Sequence, residues 1–388
     1  MRRTNSQKPE EQRFHVLIRG VFALFFFLYF YLSQDAAVSL AQHQLSLGQT
    51  SFEPFIGAVI LSALLVGLQA LLMRVVRLSE RLYVLSFLPS AICAVLLTAF
   101  VPYYRPSALI LSGIVVVLAV VVGCYKPQRE GKRSPLLAYM LQGLLLMAYM
   151  GFAGNSNDVL HYEVRTARCL NEGNYEEALS VGRRSLSTSP YLVAMRAYAM
   201  SHMPGGLGER LFKMPLLPGG SRQLYLTRAD TSQILFSPDS LYRFLSGGNA
   251  DSLQLVSRNY EPQVFQAFAQ LYPEGPARDY WLCALLLDKD LEKFAEELPK
   301  YYEVADSVTL PRYYAEALVL SNRLRQDTVM HCGNANVLAN YWDFKEKERK
   351  IPTATSRRNL LHVDYGTTYW WYYYYGRGKD PATATAVF

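Results

Sequence analysis

The sequence predicts a mostly α-helical fold in two parts. An N-terminal transmembrane helix bundle is followed by an α-helical repeat domain that carries a small β-prone insertion. Three observations lead there. Long apolar runs crowd residues 1–153 and thin out beyond them. The whole net charge of +7 falls in the same stretch: residues 1–153 hold 13 Lys+Arg and 6 Asp+Glu, whereas 154–388 hold 26 of each. Apolar positions in the later half recur at helical spacing between short turn signals. The charged fraction of 18% is below the roughly 25% usual for soluble domains. Five cysteines in 388 residues exclude a disulfide framework.

The elements follow in chain order. A membrane-crossing helix needs about 20 mostly apolar residues, because the hydrocarbon core is about 30 Å thick and each residue rises about 1.5 Å. Five segments qualify: 16–33, 54–73, 82–102, 107–125 and 135–153. The last four contain no Asp, Glu, Lys, Arg or His. The first carries Arg19 near its start, where a long side chain can reach up to the headgroups. Two readings of that first span stand side by side. It is a cleaved secretory signal ending near Ala36 and Ala37, or a retained anchor. The further spans behind it and Asp35 at the cleavage region favour retention. Pro89 is expected to kink the third span.

Positive charge alternates across these spans. Arg2, Arg3, Lys8 and Arg13 precede the first, and the loop 34–53 has no Lys or Arg. Arg74, Arg77 and Arg81 follow the second span, and only Arg105 follows the third. Lys126, Arg129, Lys132 and Arg133 follow the fourth, and the next basic residue is Arg165. Positive loops stay in the cytosol, so the N-terminus is expected inside and residues 154–388 outside, in the periplasm of a bacterium. Basic residues set between apolar runs argue against nucleic-acid binding. Spans without ionisable groups argue against a coupled transporter. Gln69 and Gln142 are expected to make inter-helix hydrogen bonds.

In the domain 154–388, Tyr162, Gly173, Tyr175, Ala178 and Pro190 lie at the spacing of one helix–turn–helix unit. This stretch resembles a tetratricopeptide repeat, with Arg165, Thr166 and Gly182 departing from the pattern. The resemblance implies stacked helix pairs and a groove for a protein partner, near Tyr162, Tyr175, Arg183 and Arg184. Further helices are expected at 191–201, at 276–302 with a split near Asp288, and at 310–325. The DKDLEKF run echoes GNYEEAL loosely. Residues 204–253 interrupt the array with PGG, PGG and GG. Within them 224–227 and 233–236 are compatible with a hairpin, and Ser237-Pro238 with a helix start.

Residues 365–376, YGTTYWWYYYYG, admit three readings. The rings fill a core, rest at a membrane interface, or form a ligand platform. As platform or interface the residues are Tyr369, Trp370 and Trp371, with Arg357 and Arg358 upstream to hold an anion.

Chemistry is harder to find. The six histidines are scattered, and there is no HExxH, no CxxC, no GxSxG and no phosphate-binding glycine loop. Adjacent His331 and Cys332 point apart. No metal and no cofactor is expected, and the motifs identify no catalytic residue without excluding an enzyme. Among Cys169, Cys283 and Cys332 at most one disulfide can form, and buried free thiols are the plainer account.

The overall plan resembles uncharacterised bacterial multi-pass inner-membrane proteins with a tetratricopeptide-like periplasmic domain. That implies a non-catalytic envelope scaffold or assembly factor, embedded in the lipid bilayer and docking another envelope protein. Two alternatives remain. One is an envelope enzyme or carbohydrate-binding protein using the Tyr/Trp-rich segment. The other is an accessory subunit of a membrane transport complex.

Overall fold

The computed structural model describes residues 7–50, 52–75, 82–99, 106–124, 135–226, 235–248, 263–305, 308–324 and 335–376. The chain divides into two compact units, Met1–Val164 and Arg165–Phe388. Among the described residues it is helical, with no strand.

In the first unit, α1 (Gln7–Leu28) runs on through one π-helical stretch, Tyr29–Ser33. Then come α2 (Asp35–Leu45), α3 (Pro54–Val75), a 3-10 turn (Val84–Phe87), α4 (Leu88–Ala99), α5 (Pro106–Cys124) and α6 (Pro135–Ala153). Among the described residues, three helical stretches are long and apolar enough to cross a membrane: Arg13–Ser33, Pro54–Val75 and Leu136–Ala153. Two shorter apolar helices, Val84–Ala99 and Leu109–Val121, accompany them.

Aromatic packing holds this unit. Phe22, Phe26, Phe30 and Phe87 are buried together with Ala91, Val95, Leu146 and Met150. Phe22 stacks on Phe87 with centroids 4.1 Å apart. The core is one-sided. Ile56, Ile60, Leu64 and Leu71 of α3, Ile114, Val117 and Val121 of α5, and Leu137, Leu141 and Leu144 of α6 all face outward, exposed.

Three sequence expectations change here. Residues 34–53 are no open loop. The first half of α2, Asp35 to Ala41, is buried all round, and the helix ends in a left-handed turn at Leu47 and Gly48. The third span changes pitch at Pro89: the 3-10 turn Val84–Phe87 passes directly into α4, with Leu88 helical and its N–H on the Leu85 carbonyl. Arg19 does not simply reach for the headgroups, since its Nε donates to Gln69 Oε1 at 3.2 Å.

In the second unit, α7 (Asp158–Asn171), which contains the division, leads to α8 (Tyr175–Ser180), α9 (Pro190–Ser201) and α10 (Gly206–Arg210). Two 3-10 turns, Leu211–Lys213 and Gly220–Leu224, precede α11 (Pro238–Leu245). Then follow α12 (Gln263–Leu271), α13 (Ala277–Leu287), α14 (Leu291–Glu297), α15 (Arg312–Leu324), α16 (Ala335–Lys350), α17 (Ala354–Tyr365) and α18 (Tyr369–Tyr375). The centre is α13, buried all round through Tyr280, Leu282, Cys283, Leu286 and Leu287, and packed by α10, α12 and α14. Helix α15 carries the core onward to α16 and α18. Gly208 on α10 permits a close approach to α15, because a Cβ there would stand 2.7 Å from Pro311 Cβ.

The expected hairpin does not form where it is described. Leu224 closes a 3-10 turn, and residues 227–234 lie outside the described residues. The reason is local: the Gln223 side chain donates to the Leu217 and Gly220 carbonyls and accepts from the Leu217 N–H, folding the Gly-Pro stretch onto itself. Ser237 caps α11 through a bond from the Asp239 N–H, with Pro238 behind it. The helix pair at 158–180 is short in its second member. α8 has six residues, after which Val181 is extended.

Candidate functional site

The second unit gathers its polar chemistry around the first turns of α13, α15 and α18. Arg312 and Glu316 stand one turn apart on α15, so their side chains meet, Nε to Oε1, at 2.7 Å. The other carboxylate oxygen accepts the Tyr369 N–H at 2.6 Å, and Thr368 Oγ1 accepts the Trp371 N–H at 3.3 Å. The exposed donors at the start of α18 are thus closed by a carboxylate and a hydroxyl. Glu209 of α10 completes the group by accepting the Arg312 N–H at 2.6 Å. Burial pushes the Glu316 carboxyl up to about 7, against the pull of Arg312 and the Tyr369 N–H. What the group holds is the aromatic helix: Phe212 meets Tyr313, Tyr369 and Tyr372 with centroids 4.9–5.3 Å apart.

A second cluster centres on Asp279 of α13. One carboxylate oxygen accepts both the Tyr302 hydroxyl at 2.6 Å and the Tyr314 hydroxyl at 2.8 Å. Burial, then the Asp279 charge, pushes both phenols up. The Cys283 sulfur lies 3.7 Å from the Tyr314 oxygen, and burial pushes its thiol up as well. A thiol held protonated in a closed core is a packing group, not a nucleophile. Cys169 and Cys283 are both free, and Cys332 lies outside the described residues.

The residues singled out from sequence fall in several places. Tyr162 is half-buried and belongs to the first unit. Tyr175 stacks on His202 at 4.2 Å, and His202 in turn on Phe244 at 4.2 Å. Tyr175 also lines an open groove of about 600 Å³ with Gly173, Glu176, Glu177, Ser180 and Met203. Arg183 and Arg184 are exposed beyond it. Tyr369 is 0% exposed and Trp370 is 1% exposed, with Trp370 set against Tyr341 and Phe344. Trp371, half-buried, packs on His362 and donates its indole N–H to the Arg358 carbonyl at 3.3 Å. Arg357 turns back to the Ile351 and Pro352 carbonyls, at 2.6 and 3.1 Å, closing the end of α16. Arg358 is exposed. Tyr369, Trp370 and Tyr372 are therefore core residues, whereas Trp371, Tyr373, Tyr374 and Tyr375 are half-buried.

In the first unit one polar chain runs inward. Arg19 donates to Gln69, Gln69 Nε2 donates to Ser86 Oγ at 2.7 Å, and Ser86 donates to the Tyr83 carbonyl at 2.6 Å. Among the described residues no group of three or more His, Cys, Asp or Glu could hold a metal ion. His331 and Cys332 lie outside them.

Sequence reading missed Glu316, Asp279 and the Arg19–Gln69 contact. The first had a visible signal in the Arg312/Glu316 spacing. The other two depend on partners far along the chain.

A family of unknown function, DUF6057, matches residues 239–376. That stretch includes Asp279, Arg312, Glu316 and the whole aromatic helix. No curated protein and no solved structure matches the chain.

Proposed function

We propose that this protein is a membrane-anchored, non-catalytic scaffold of the bacterial cell envelope. In this reading the first unit crosses the cytoplasmic membrane five times with the N-terminus inside. The second unit works outside the cytosol as a degenerate, tetratricopeptide-like helical array that docks another envelope protein.

One observation carries the membrane part. The outward faces of α3, α5 and α6 are apolar through Ile56, Leu64, Ile114, Val121, Leu137 and Leu144, with Arg74 at the end of α3 the charged exception among the described side chains. A water-soluble surface rarely exposes more than a few hundred Å² of contiguous apolar area. Hydrocarbon is the solvent that suits such faces, and the alternation of Lys and Arg between the spans supplies their orientation.

The repeat part draws support from two turns of the same build, 171–175 and 288–291. The docking part draws on the open groove beside Tyr175. The chemistry at Glu316 and Asp279 holds helices together instead of presenting a reactive group. Crosslinking in intact membranes followed by mild-detergent purification tests the docking. A stoichiometric envelope partner, lost on Tyr175→Ala with Arg183→Glu, is the expected result. Recovery of the chain alone would overturn it.

A further inference from the structure

From the polar chain in the first unit we infer that Arg19 is the centre of a binding site for a phosphate-bearing headgroup, that of an anionic phospholipid. The inference rests on the membrane reading and adds a ligand to it. The cation is positioned from within. Gln69 is 0% exposed, yet it gives its carbonyl oxygen to Arg19 Nε and its amide to Ser86. Three elements, α1, α3 and the 3-10 turn 84–87, thereby fix the inner edge of a guanidinium that is itself half-buried.

Arg19 also meets the hydroxyl of Tyr83, and the Tyr83 ring stacks on His15 with centroids 3.8 Å apart. Among the described residues no carboxylate pairs with Arg19. A guanidinium at the edge of hydrocarbon is costly, and a phosphodiester offers two oxygens that match its planar fork.

The surroundings favour an anionic lipid over a zwitterionic one. α1 and α3 run antiparallel, since Arg19 meets Gln69 while Phe27 meets Phe55. Arg13 on α1 and Arg74 on α3 therefore lie at the same end as Arg19, both exposed. Each adds to a positive field at that leaflet.

The test uses the full chain purified in a mild non-ionic detergent. Native mass spectrometry counts bound phosphatidylglycerol against phosphatidylcholine, and thermal unfolding is followed with each lipid and with inorganic phosphate alone. The wild type should retain and be stabilised by phosphatidylglycerol in preference to phosphatidylcholine. Arg19→Gln should lower phosphatidylglycerol retention roughly fivefold, and Arg19→Lys by less. Size-exclusion elution confirms that the variants are folded, and the lipid preference of the wild type stands as a readout that needs no variant.

Equal retention of both lipids by the wild type would overturn the site, as would a folded Arg19→Gln chain that keeps its phosphatidylglycerol. Stabilisation by inorganic phosphate without any lipid preference would overturn the lipid assignment. Release of the chain from membranes by alkaline carbonate would instead sink the membrane reading, so the two failures are told apart.

Discussion

Two turns in the second unit share one backbone and differ in what they hold. Between α7 and α8, Gly173 takes φ 76°, the N–H of Asn174 bonds the Cys169 carbonyl at 2.8 Å, and Asn174 enters the next helix at φ −86°, ψ 68°. Between α13 and α14, Lys289 takes φ 60°, the N–H of Asp290 bonds the Leu285 carbonyl at 2.9 Å, and Asp290 enters at φ −84°, ψ 72°. Glycine adopts the left-handed conformation freely, and a lysine there costs about 1 kcal/mol. The lysine offsets that cost with its side chain. Its ammonium donates to the Gly376 carbonyl at 2.8 Å and lies over the rings of Tyr372 and Tyr373. The first turn only reverses the chain; the second also clamps the last helix.

The sharpest way to break this contrast is to cut away what each turn supports. Trp370→Ala, in the core that the second turn helps to close, should cost about 3–5 kcal/mol, as large-to-small aromatic changes in a core do. Tyr175→Ala, beside the first turn and half-exposed, should cost about 1 kcal/mol. All four tryptophans, Trp281, Trp342, Trp370 and Trp371, lie in the second unit. Fluorescence during urea unfolding therefore reports that unit even in a detergent-solubilised chain. Equal losses for the two variants would erase the distinction.

A second hold on α18, the Glu316 carboxylate that accepts the Tyr369 N–H, makes stability depend on pH. Glu316 is raised to about 7 in the folded chain, above an unfolded value near 4.5. Between those values the folded state binds more protons than the unfolded one, so stability should fall as pH rises from about 4.5 to about 7 and level off beyond. The full swing is on the order of 3 kcal/mol. Glu348 is held below the usual carboxylate range, chiefly by Lys345 against the cost of burial, and loses its contribution only at lower pH. Urea midpoints at pH 5 and 7.5 measure the effect. A midpoint that rises with pH, or a fall that persists in Glu316→Gln, would contradict it.

Smaller effects separate the turns themselves. Asp290 accepts the Lys293 N–H at 3.1 Å, whereas Asn174 makes no side-chain cap. Asp290→Ala should therefore cost about 1 kcal/mol and Asn174→Ala close to nothing, read from the same unfolding curves. Lys289→Gly comes last. Relief of the backbone and loss of the clamp should nearly cancel, within about 0.5 kcal/mol. Lys289→Ala, which keeps the strain and loses the bond, should be the worse of the two.

Legibility in the sequence followed the range of the forces involved. Apolar length and helical spacing are local, and they located the long apolar helices, the split at Asp288 and the cap at Ser237. The α2 helix was hidden because Asp35 to Leu45 reads as a bare loop until Ala36, Ala37 and Leu40 find a surface to bury against. The hairpin reading failed at Leu224, because Gln223 bonds backbone that no β-propensity scale considers. At the site, Arg312 and Glu316 are visible as a helical pair. That Glu316 caps a helix beginning 53 residues later is not. The aromatic run admitted three readings since composition alone does not say which rings face inward. Tyr369 and Trp370 needed α15 and α16 to be in place first.

The position of α18 sets an order on folding. Its rings close a core whose other members, Phe212, Tyr313, Tyr341 and Phe344, all precede it in the chain, so that core stays open during synthesis until Tyr369 to Tyr375 have been made. Chains truncated before Tyr369 should unfold at lower urea than the full chain, or be degraded rather than accumulate.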